Sequence, residues 1–172
     1  MRLLIVKLKP LKKILDKAQI DFKIKRLGLE IAERNVFENS IVLVGIAANG
    51  LLIANKLKQE IEPNYKGKIC VLPLDFNKKA PHENNLVIEQ DVTNSNVILV
   101  DDVANSGRTL TYAIKPFLNA LPKSIQTLVL VERTHKLFPI SADYVGQSIN
   151  TTVQDYIEVQ NENGEIISAV IQ

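Results

Sequence analysis

The stretch Val97-Ile98-Leu99-Val100-Asp101-Asp102-Val103-Ala104-Asn105-Ser106-Gly107-Arg108-Thr109 indicates the fold of this chain. Four apolar residues precede two adjacent carboxylates, a pattern typical of a strand that is buried in a parallel sheet. A turn of small residues follows and leads into a helical pattern. In open α/β sheets ligands bind at the carboxyl edge of the strands, where we expect Asp101 and Asp102. The sequence therefore predicts a ligand site at the end of this strand.

The turn after the two acids has the composition of an anion-binding loop. Its small residues allow several backbone N–H groups to point toward one position, and Gly107 permits close backbone approach. Ser106 and Thr109 add hydroxyl donors, and the carboxylates are able to accept hydrogen bonds from vicinal hydroxyls or to help bind Mg²⁺. The segment suits a phosphate beside a polyhydroxylated group. Judged on the residues alone, a second interpretation stays open, in which Asp101 and Asp102 only cap or close a loop.

Strand and helix patterns alternate along the rest of the chain. Short apolar runs predict buried strands over residues 40–45, 69–74, 97–100 and 125–131. Helical spacing predicts helices over 16–35, with Asp16 as N-cap, over about 50–62, and after Gly107 until Pro116 shortens the helix. This alternation predicts an α/β fold with a mostly parallel central sheet.

The segments outside this alternation have weaker patterns. Residues 3–8 are predicted to form a short strand or extended arm, and residues 76–95 a loop or short hairpin. At the end of the chain, residues 155–160 and 165–171 are joined through Asn163-Gly164, which is a strong signal for an antiparallel hairpin.

Composition is that of a soluble globular protein. The chain has 172 residues, which fits one domain over 1–172, with 46% hydrophobic and 23% charged residues and a net charge of +2. Its single cysteine excludes an intramolecular disulfide, and no apolar run approaches the roughly 20 residues of a membrane span. We therefore expect a cytoplasmic protein without a membrane partner.

Positive charge is concentrated at the N-terminus. Residues 1–26 contain nine Lys or Arg side chains and two acids, Asp16 and Asp21. A basic segment of this kind is either an RNA-binding face or an ordinary solvated helix face, and both interpretations stay open.

The decisive stretch resembles the phosphoribosyl pyrophosphate motif of type I phosphoribosyltransferases. The shared pattern is an apolar strand, Asp-Asp, an apolar residue, two variable residues, Ser or Thr, Gly, a variable residue and Thr. The resemblance implies that Asp101 and Asp102 bind the ribose hydroxyls and serve as the catalytic, Mg²⁺-binding carboxylates. It implies phosphoribosyl pyrophosphate binding by Asp101, Asp102, Val103, Ala104, Asn105, Ser106, Gly107, Arg108 and Thr109.

Further segments resemble the bifunctional pyrimidine-operon attenuator and uracil phosphoribosyltransferase family. They are Ile14-Leu15-Asp16, Arg26-Leu27, Glu33-Arg34-Asn35, Leu43-Val44-Gly45-Ile46, Val131-Glu132-Arg133-Thr134-His135, Pro139-Ile140 and Ala142-Asp143-Tyr144-Val145-Gly146. The resemblance implies the type I phosphoribosyltransferase fold, with a small hood, and a homodimer or larger oligomer. It also implies base binding, with Tyr144 stacking on the base, the Val145 backbone reading its polar edge and Glu132 ending a strand beside it.

Two loops depart from this family. The resemblance implies that Ile46, Ala47, Ala48, Asn49 and Gly50 form the pyrophosphate loop, yet the family has Lys, Thr and Arg where this chain has Ala47, Ala48 and Asn49. After Asp75 the family has an aromatic-Arg-Asp-Asp stretch, and this chain has Phe76-Asn77-Lys78-Lys79-Ala80. Lys78 and Lys79 either replace the lost positive charge or are ordinary loop lysines.

Two functions follow from these observations. The first is transfer of the phosphoribosyl group from phosphoribosyl pyrophosphate to a nucleobase, with uracil as the expected base. The alternative is a catalytically weak or inactive regulator that senses a nucleotide and binds RNA. A purely structural role is the third possibility.

Overall fold

The computed structural model describes residues 11–83, 86–152 and 154–172. Its elements in chain order are β1 (Lys12–Asp16), α1 (Lys17–Arg34), β2 (Ser40–Ile46), α2 (Ala47–Ile61), β3 (Lys68–Leu74), β4 (Asn96–Ala104), α3 (Arg108–Ala113), β5 (Ser124–Arg133), β6 (Tyr144–Ile149), β7 (Ile157–Glu162) and β8 (Glu165–Ile171). Short 3₁₀ turns cover Glu62–Asn64, Pro81–Glu83 and Lys115–Phe117. The predicted extended arm at 3–8 lies outside the described residues.

The larger sheet has five strands in the order β3-β2-β4-β5-β6, and every neighbouring pair is parallel. Because side chains alternate along a strand, each strand contributes to two cores. On β2, Ile41 and Leu43 pack on the face covered by α1 and α2, whereas Val42 and Val44 pack with α3. The predicted parallel α/β fold is confirmed.

The smaller sheet is antiparallel, in the order β1-β8-β7. Its hairpin turns at Asn163 and Gly164, whose φ values of 50° and 79° match the left-handed turn that an Asn-Gly pair favours. The predicted C-terminal hairpin is thus confirmed, although its first strand begins at Ile157. Strands β1 and β6 were not predicted.

Helix boundaries follow local chemistry. The predicted cap at Asp16 is confirmed: its Oδ1 accepts from the Gln19 N–H at 2.8 Å, and the Gln19 side chain accepts from the Asp16 N–H at 3.0 Å. Helix α3 ends at Ala113, before Pro116. In residues 76–95 the described part is a loop with one 3₁₀ turn. None of the helices in the described part of the chain is long and apolar enough to cross a membrane.

Helix α2 begins at Ala47, three residues before the predicted start at Gly50. The residues Ala47, Ala48, Asn49 and Gly50 therefore make the first turn of α2 and not a loop. Their binding of pyrophosphate stays a prediction. Close packing of this turn on the sheet requires glycine, since a Cβ on Gly50 would lie 2.4 Å from the Val100 carbonyl oxygen.

Candidate active site

The central strand β4 extends beyond its neighbour on one side. Pairing with β2 ends at Val100, whereas pairing with β5 continues to Ala104. Asp101 and Asp102 consequently belong to the strand and face an open edge of the sheet. The sequence pattern predicts them directly after the strand, which extends to Ala104. A cavity of about 530 Å³ opens at this edge and is lined by Ala47, Ala48, Asn49, Lys78, Asp101, Asp102, Val103, Ala104, Asn105, Ser106, Gly107, Arg108, Thr109, Leu110, Tyr156, Ile157, Glu158 and Val159.

The two carboxylates are buried side by side at the floor of this cavity. Their side chains are 0% and 12% exposed for Asp101 and Asp102. One oxygen of Asp101 accepts from the Asp102 N–H at 2.9 Å, while its Oδ2 has no hydrogen-bond partner among the described residues. Asp102 accepts from the Val103 N–H through Oδ1 and from the Asn49 side chain through Oδ2.

A lysine from the loop after β3 forms ion pairs with both acids. The Lys78 ammonium lies 2.7 Å from Oδ1 of Asp101 and 2.7 Å from Oδ1 of Asp102. Lys78 is therefore not an ordinary solvated loop lysine. That it replaces the lost positive charge stays a prediction. Lys79 is exposed and does not line the cavity.

The pKa values of Asp101, Asp102 and Lys78 are shifted in different directions by their shared environment. Burial and the charge of Asp102 raise the pKa of Asp101 to about 7, against the lowering effect of Lys78. Burial also opposes ionisation of Asp102, but the charge of Lys78 and hydrogen bonds including that from Asn49 bring its pKa below the ordinary value. Burial acts to lower the pKa of Lys78, and the two carboxylates outweigh it and raise that pKa. Asp102 and Lys78 are therefore charged at neutral pH, and Asp101 titrates close to it.

The turn after β4 presents free backbone donors. The N–H groups of Ser106 and Gly107 have no acceptor among the described residues. The Ser106 carbonyl accepts from the N–H groups of Leu137 and Phe138, which holds the turn in place. Gly107 has φ of 80°, and a Cβ there would lie 2.8 Å from Ile140. Free N–H groups on a rigid turn suit a phosphate.

The start of α2 supplies a second set of donors. The first N–H groups of a helix have no partner within it, and the helix dipole favours an anion there. Ala47, which has the unusual φ of 54°, lines the cavity together with Ala48 and Asn49, whereas Ile46 and Gly50 do not. This end of the cavity thus offers backbone donors without a cationic side chain.

Asparagine side chains attach β7 to the site. The Asn49 amide donates to Asp102 at 2.8 Å and to the Val159 carbonyl at 3.0 Å. Asn105 donates to the Ile157 carbonyl and accepts from the Ile157 N–H. The C-terminal hairpin is therefore one wall of the cavity, a role that no sequence signal indicated.

The three residues predicted to bind the base lie outside the cavity lining. Tyr144 is fully buried beneath the Arg34 guanidinium, so base stacking does not hold in this structure: Tyr144 is the first residue of β6, whereas ligands meet the carboxyl ends of strands. The Val145 carbonyl accepts from Arg26 at 2.6 Å. The Glu132 carboxylate binds Lys136 and the Ala142 N–H.

Residues 10–161 match the phosphoribosyl transferase domain family. The chain belongs to this family. The predicted activity class, transfer of a phosphoribosyl group from phosphoribosyl pyrophosphate to a nucleobase, is that of a phosphoribosyltransferase and is confirmed at this level.

Relatives cover nearly the whole phosphoribosyltransferase chain. Bifunctional protein PyrR of Bacillus velezensis is 38% identical over 159 residues, which span 86% of this chain and 88% of the relative. The protein of the same name from Caldicellulosiruptor saccharolyticus is 33% identical over 171 residues, spanning 91% and 94%. The resemblance drawn from the sequence is therefore confirmed.

Solved structures share the fold. A hypoxanthine phosphoribosyltransferase of Trypanosoma cruzi superposes with a TM-score of 0.74 at 18% identity, covering 91% of this chain and 95% of the other. A hypoxanthine-guanine phosphoribosyltransferase of Bacillus anthracis gives 0.71 at 21% identity, covering 92% and 97%. At these identities the likeness concerns the fold alone.

The two buried carboxylates supply part of the ligand set of a divalent cation, and water or substrate oxygens would complete it. No group of three or more His, Cys, Asp or Glu side chains within residues 11–83, 86–152 and 154–172 is arranged to hold a metal ion. Mg²⁺ is commonly bound by one or two carboxylates plus substrate oxygens. The adjacent carboxylates of Asp101 and Asp102, which already attract a cationic side chain, meet this requirement.

Proposed function

We propose that this phosphoribosyltransferase uses uracil as its base and the cavity at the end of β4 as its active site. The observation that carries the site is the convergence of two buried carboxylates, a turn with free N–H groups and a helix N-terminus on one cavity. Uracil is supported by the resemblance to the attenuator and uracil phosphoribosyltransferase family, and by relatives named bifunctional protein PyrR at 33–38% identity.

Each part of the cavity matches one part of phosphoribosyl pyrophosphate. In the proposed complex, the turn 104–109 binds the 5-phosphate through backbone N–H groups and the hydroxyls of Ser106 and Thr109. Asp101 and Asp102 accept hydrogen bonds from the ribose hydroxyls. The first turn of α2 binds the pyrophosphate through its free N–H groups. Cavity, loop and helix thus account for all three groups of the substrate.

The reaction asks mainly for positioning and charge stabilisation. Displacement of pyrophosphate from the ribose C1 passes through a sugar with cation character, next to which the carboxylates of Asp101 and Asp102 are favourable. The turn and the α2 N-terminus hold the two ends of the substrate, so that the base meets C1 in a fixed orientation. Mg²⁺, held by Asp101 and Asp102 with substrate oxygens, would neutralise charge on the leaving group.

The direct test is pyrophosphate release from phosphoribosyl pyrophosphate and Mg²⁺ with a panel of nucleobases. We expect release with uracil and little with purines. Release with a purine alone would overturn the uracil assignment, and no release with any base from protein that binds phosphoribosyl pyrophosphate would favour the regulator described below.

The assignment of the carboxylates has its own test. We expect Asp101→Asn combined with Asp102→Asn to weaken phosphoribosyl pyrophosphate binding at least about 100-fold, because charge-assisted hydrogen bonds contribute roughly 1.5–3 kcal/mol each. Glu62→Gln, which changes an exposed carboxylate outside the cavity, is the matched control. Unchanged binding by the double variant would show that the ribose lies elsewhere.

An aromatic side chain other than Tyr144 is placed to stack on the base. Tyr156 lines the cavity just before β7 and is 56% exposed. We propose it as the stacking residue, since aromatic–base stacking contributes about 1–3 kcal/mol. Tyr156→Leu should raise the KM for the base about tenfold or more, while Tyr156→Phe should leave it near the original value. Equal KM values for both variants would exclude stacking.

RNA binding is a second candidate function, favoured by the basic segment at the start of the chain. In the described part of this segment, Lys12, Lys13, Lys17 and Lys25 are exposed. Binding through phosphates should weaken steeply with salt, so an apparent Kd for RNA should rise at least about tenfold between 50 and 200 mM KCl. Salt-insensitive or undetectable binding would count against this function.

We also propose a homodimer or larger oligomer, as the resemblance implies. Large apolar side chains are exposed on α1 and just after it, notably Phe22 at 70% and Phe37 at 95%. Exposed aromatic residues of this kind are enriched at protein interfaces. Sedimentation equilibrium of the protein and of Phe37→Ser distinguishes a dimer through this face from a monomer.

A further inference from the structure

We propose that the Lys78 ammonium forms ion pairs with the carboxylates of Asp101 and Asp102 until a divalent cation displaces it. Docking of the loop around Lys78 and binding of a divalent cation at the dicarboxylate then exclude each other. The inference deepens the proposed function, because it concerns the same pair of carboxylates, but it depends neither on the base nor on turnover.

Geometry places the ammonium where a metal ion would have to bind. The ammonium lies 2.7 Å from one oxygen of each carboxylate and so bridges the two acids. Asp101 and Asp102 are nearly inaccessible, whereas the Lys78 side chain is 37% exposed and reaches them from the cavity side. Two cations at such short range repel each other strongly, so the dicarboxylate has room for one of them.

The loop holds Lys78 in this position from both sides. Phe76 is 5% exposed and packs in the apolar core that includes α3, which anchors the chain before the lysine. The Asn77 side-chain oxygen accepts from the N–H groups of Lys79 at 3.0 Å and Ala80 at 3.4 Å, which turns the chain immediately after it. Lys79 therefore remains exposed and outside the cavity lining, which makes it a matched control.

Displacement of Lys78 would couple the loop to the ligand. When the ammonium leaves the carboxylates, the two hydrogen bonds between Lys78 and the acids of β4 are lost. A freed ammonium beside the cavity is then available to a phosphate group. The loop thus responds to the occupant of the dicarboxylate.

The first experiment measures Mn²⁺ affinity by calorimetry without phosphoribosyl pyrophosphate. Lys78→Met should bind Mn²⁺ at least about tenfold more tightly than the unchanged protein, whereas Lys79→Met should match it. Asp101→Asn with Asp102→Asn should abolish the site. Equal affinities for Lys78→Met and the unchanged protein, or Mn²⁺ binding that survives the loss of both acids, would overturn the proposal.

The second experiment needs no variant at Lys78. Hydrogen exchange of the Lys79 and Ala80 amides, which donate to Asn77, should become several-fold faster when saturating Mn²⁺ is added to the unchanged protein. Unchanged exchange at saturation would overturn the proposal. Both readouts are independent of catalysis. Failure to release pyrophosphate with any base would refute the proposed enzyme activity, whereas the Mn²⁺ affinities and the exchange rates would still test this inference.

Discussion

Asp101 has an environment that disfavours its own charge. Its side chain is fully buried, and one of its oxygens has no partner among the described residues. Burial and Asp102 raise its pKa to about 7, above the ordinary value of 3.8. Because the folded protein then binds this proton more tightly than the unfolded chain, the contribution of Asp101 to stability falls as pH rises from about 4 to about 7.

Replacement of this carboxyl should remove that dependence. In metal-free buffer we expect Asp101→Asn to gain about 2 kcal/mol relative to the unchanged protein between pH 5 and pH 8, or roughly 4–8 °C in Tm. Thermal unfolding of both proteins at the two pH values measures the difference, in which the other titrating groups cancel. A constant difference in Tm would show that Asp101 does not titrate in this range.

At the scale of elements, the site is built from pieces that meet at one sheet edge. Strand β4 provides the acids, the turn before α3 provides N–H groups, and β7 closes one wall. The hairpin is attached to the turn through Asn105, whose amide makes two hydrogen bonds with the Ile157 backbone at 2.9 and 3.1 Å. This pairing joins the turn after β4 to the first residue of β7, which belongs to the smaller sheet.

Loss of that pairing should loosen β7. We expect Asn105→Ala to destabilise the protein by about 1–2 kcal/mol, because each hydrogen bond contributes roughly 0.5–1.5 kcal/mol, and to accelerate exchange of the Ile157 amide. Denaturant unfolding and hydrogen exchange measure the two effects. Asn55→Ala is the control, since the exposed Asn55 amide donates to the Leu51 carbonyl within its own helix α2. It should change stability by less than about 0.5 kcal/mol. Equal behaviour of the two variants would contradict the role of Asn105.

At the scale of the whole molecule, the two sheets share a core. The apolar cluster on the α1 and α2 face of the larger sheet contains Leu43 and Leu130 from that sheet and Leu15, Ile157 and Ile166 from the smaller one. Side chains of both sheets and of α1 and α2 thus pack in one cluster. We therefore expect a single cooperative domain rather than two independent ones.

Truncation of a buried side chain in the smaller sheet should consequently destabilise both sheets. Ile166→Ala, at a fully buried position of β8, should lower the free energy of unfolding by about 2–5 kcal/mol. Far-ultraviolet circular dichroism and tyrosine fluorescence should still report one coincident transition, at a lower Tm. Val87→Ala, at a side chain that is 69% exposed, is the control. Two separated transitions would divide the chain into two folding units.

Local sequence determined most of the architecture. Short continuous apolar runs and apolar stripes of helical period depend on neighbouring residues only, so they predicted the strands β2–β5 and the helices. Asp16 and Asn163-Gly164 specified a cap and a turn. The Asp-Asp stretch with its small-residue turn likewise indicated a ligand site before any fold was known. Strands β1 and β6 were missed because most of their side chains are exposed or only partly buried, so their apolar pattern is weak.

Tertiary structure alone decided which side chains surround the ligand site. Lys78 meets residues 23 and 24 positions away, and Asn49 meets one 53 positions away, through contacts that depend on strand register and loop packing. The same dependence placed Tyr144 at the amino end of its strand and Tyr156 on the cavity wall. Sequence spacing carries no information on such distances, because they arise only when separate elements are packed against each other.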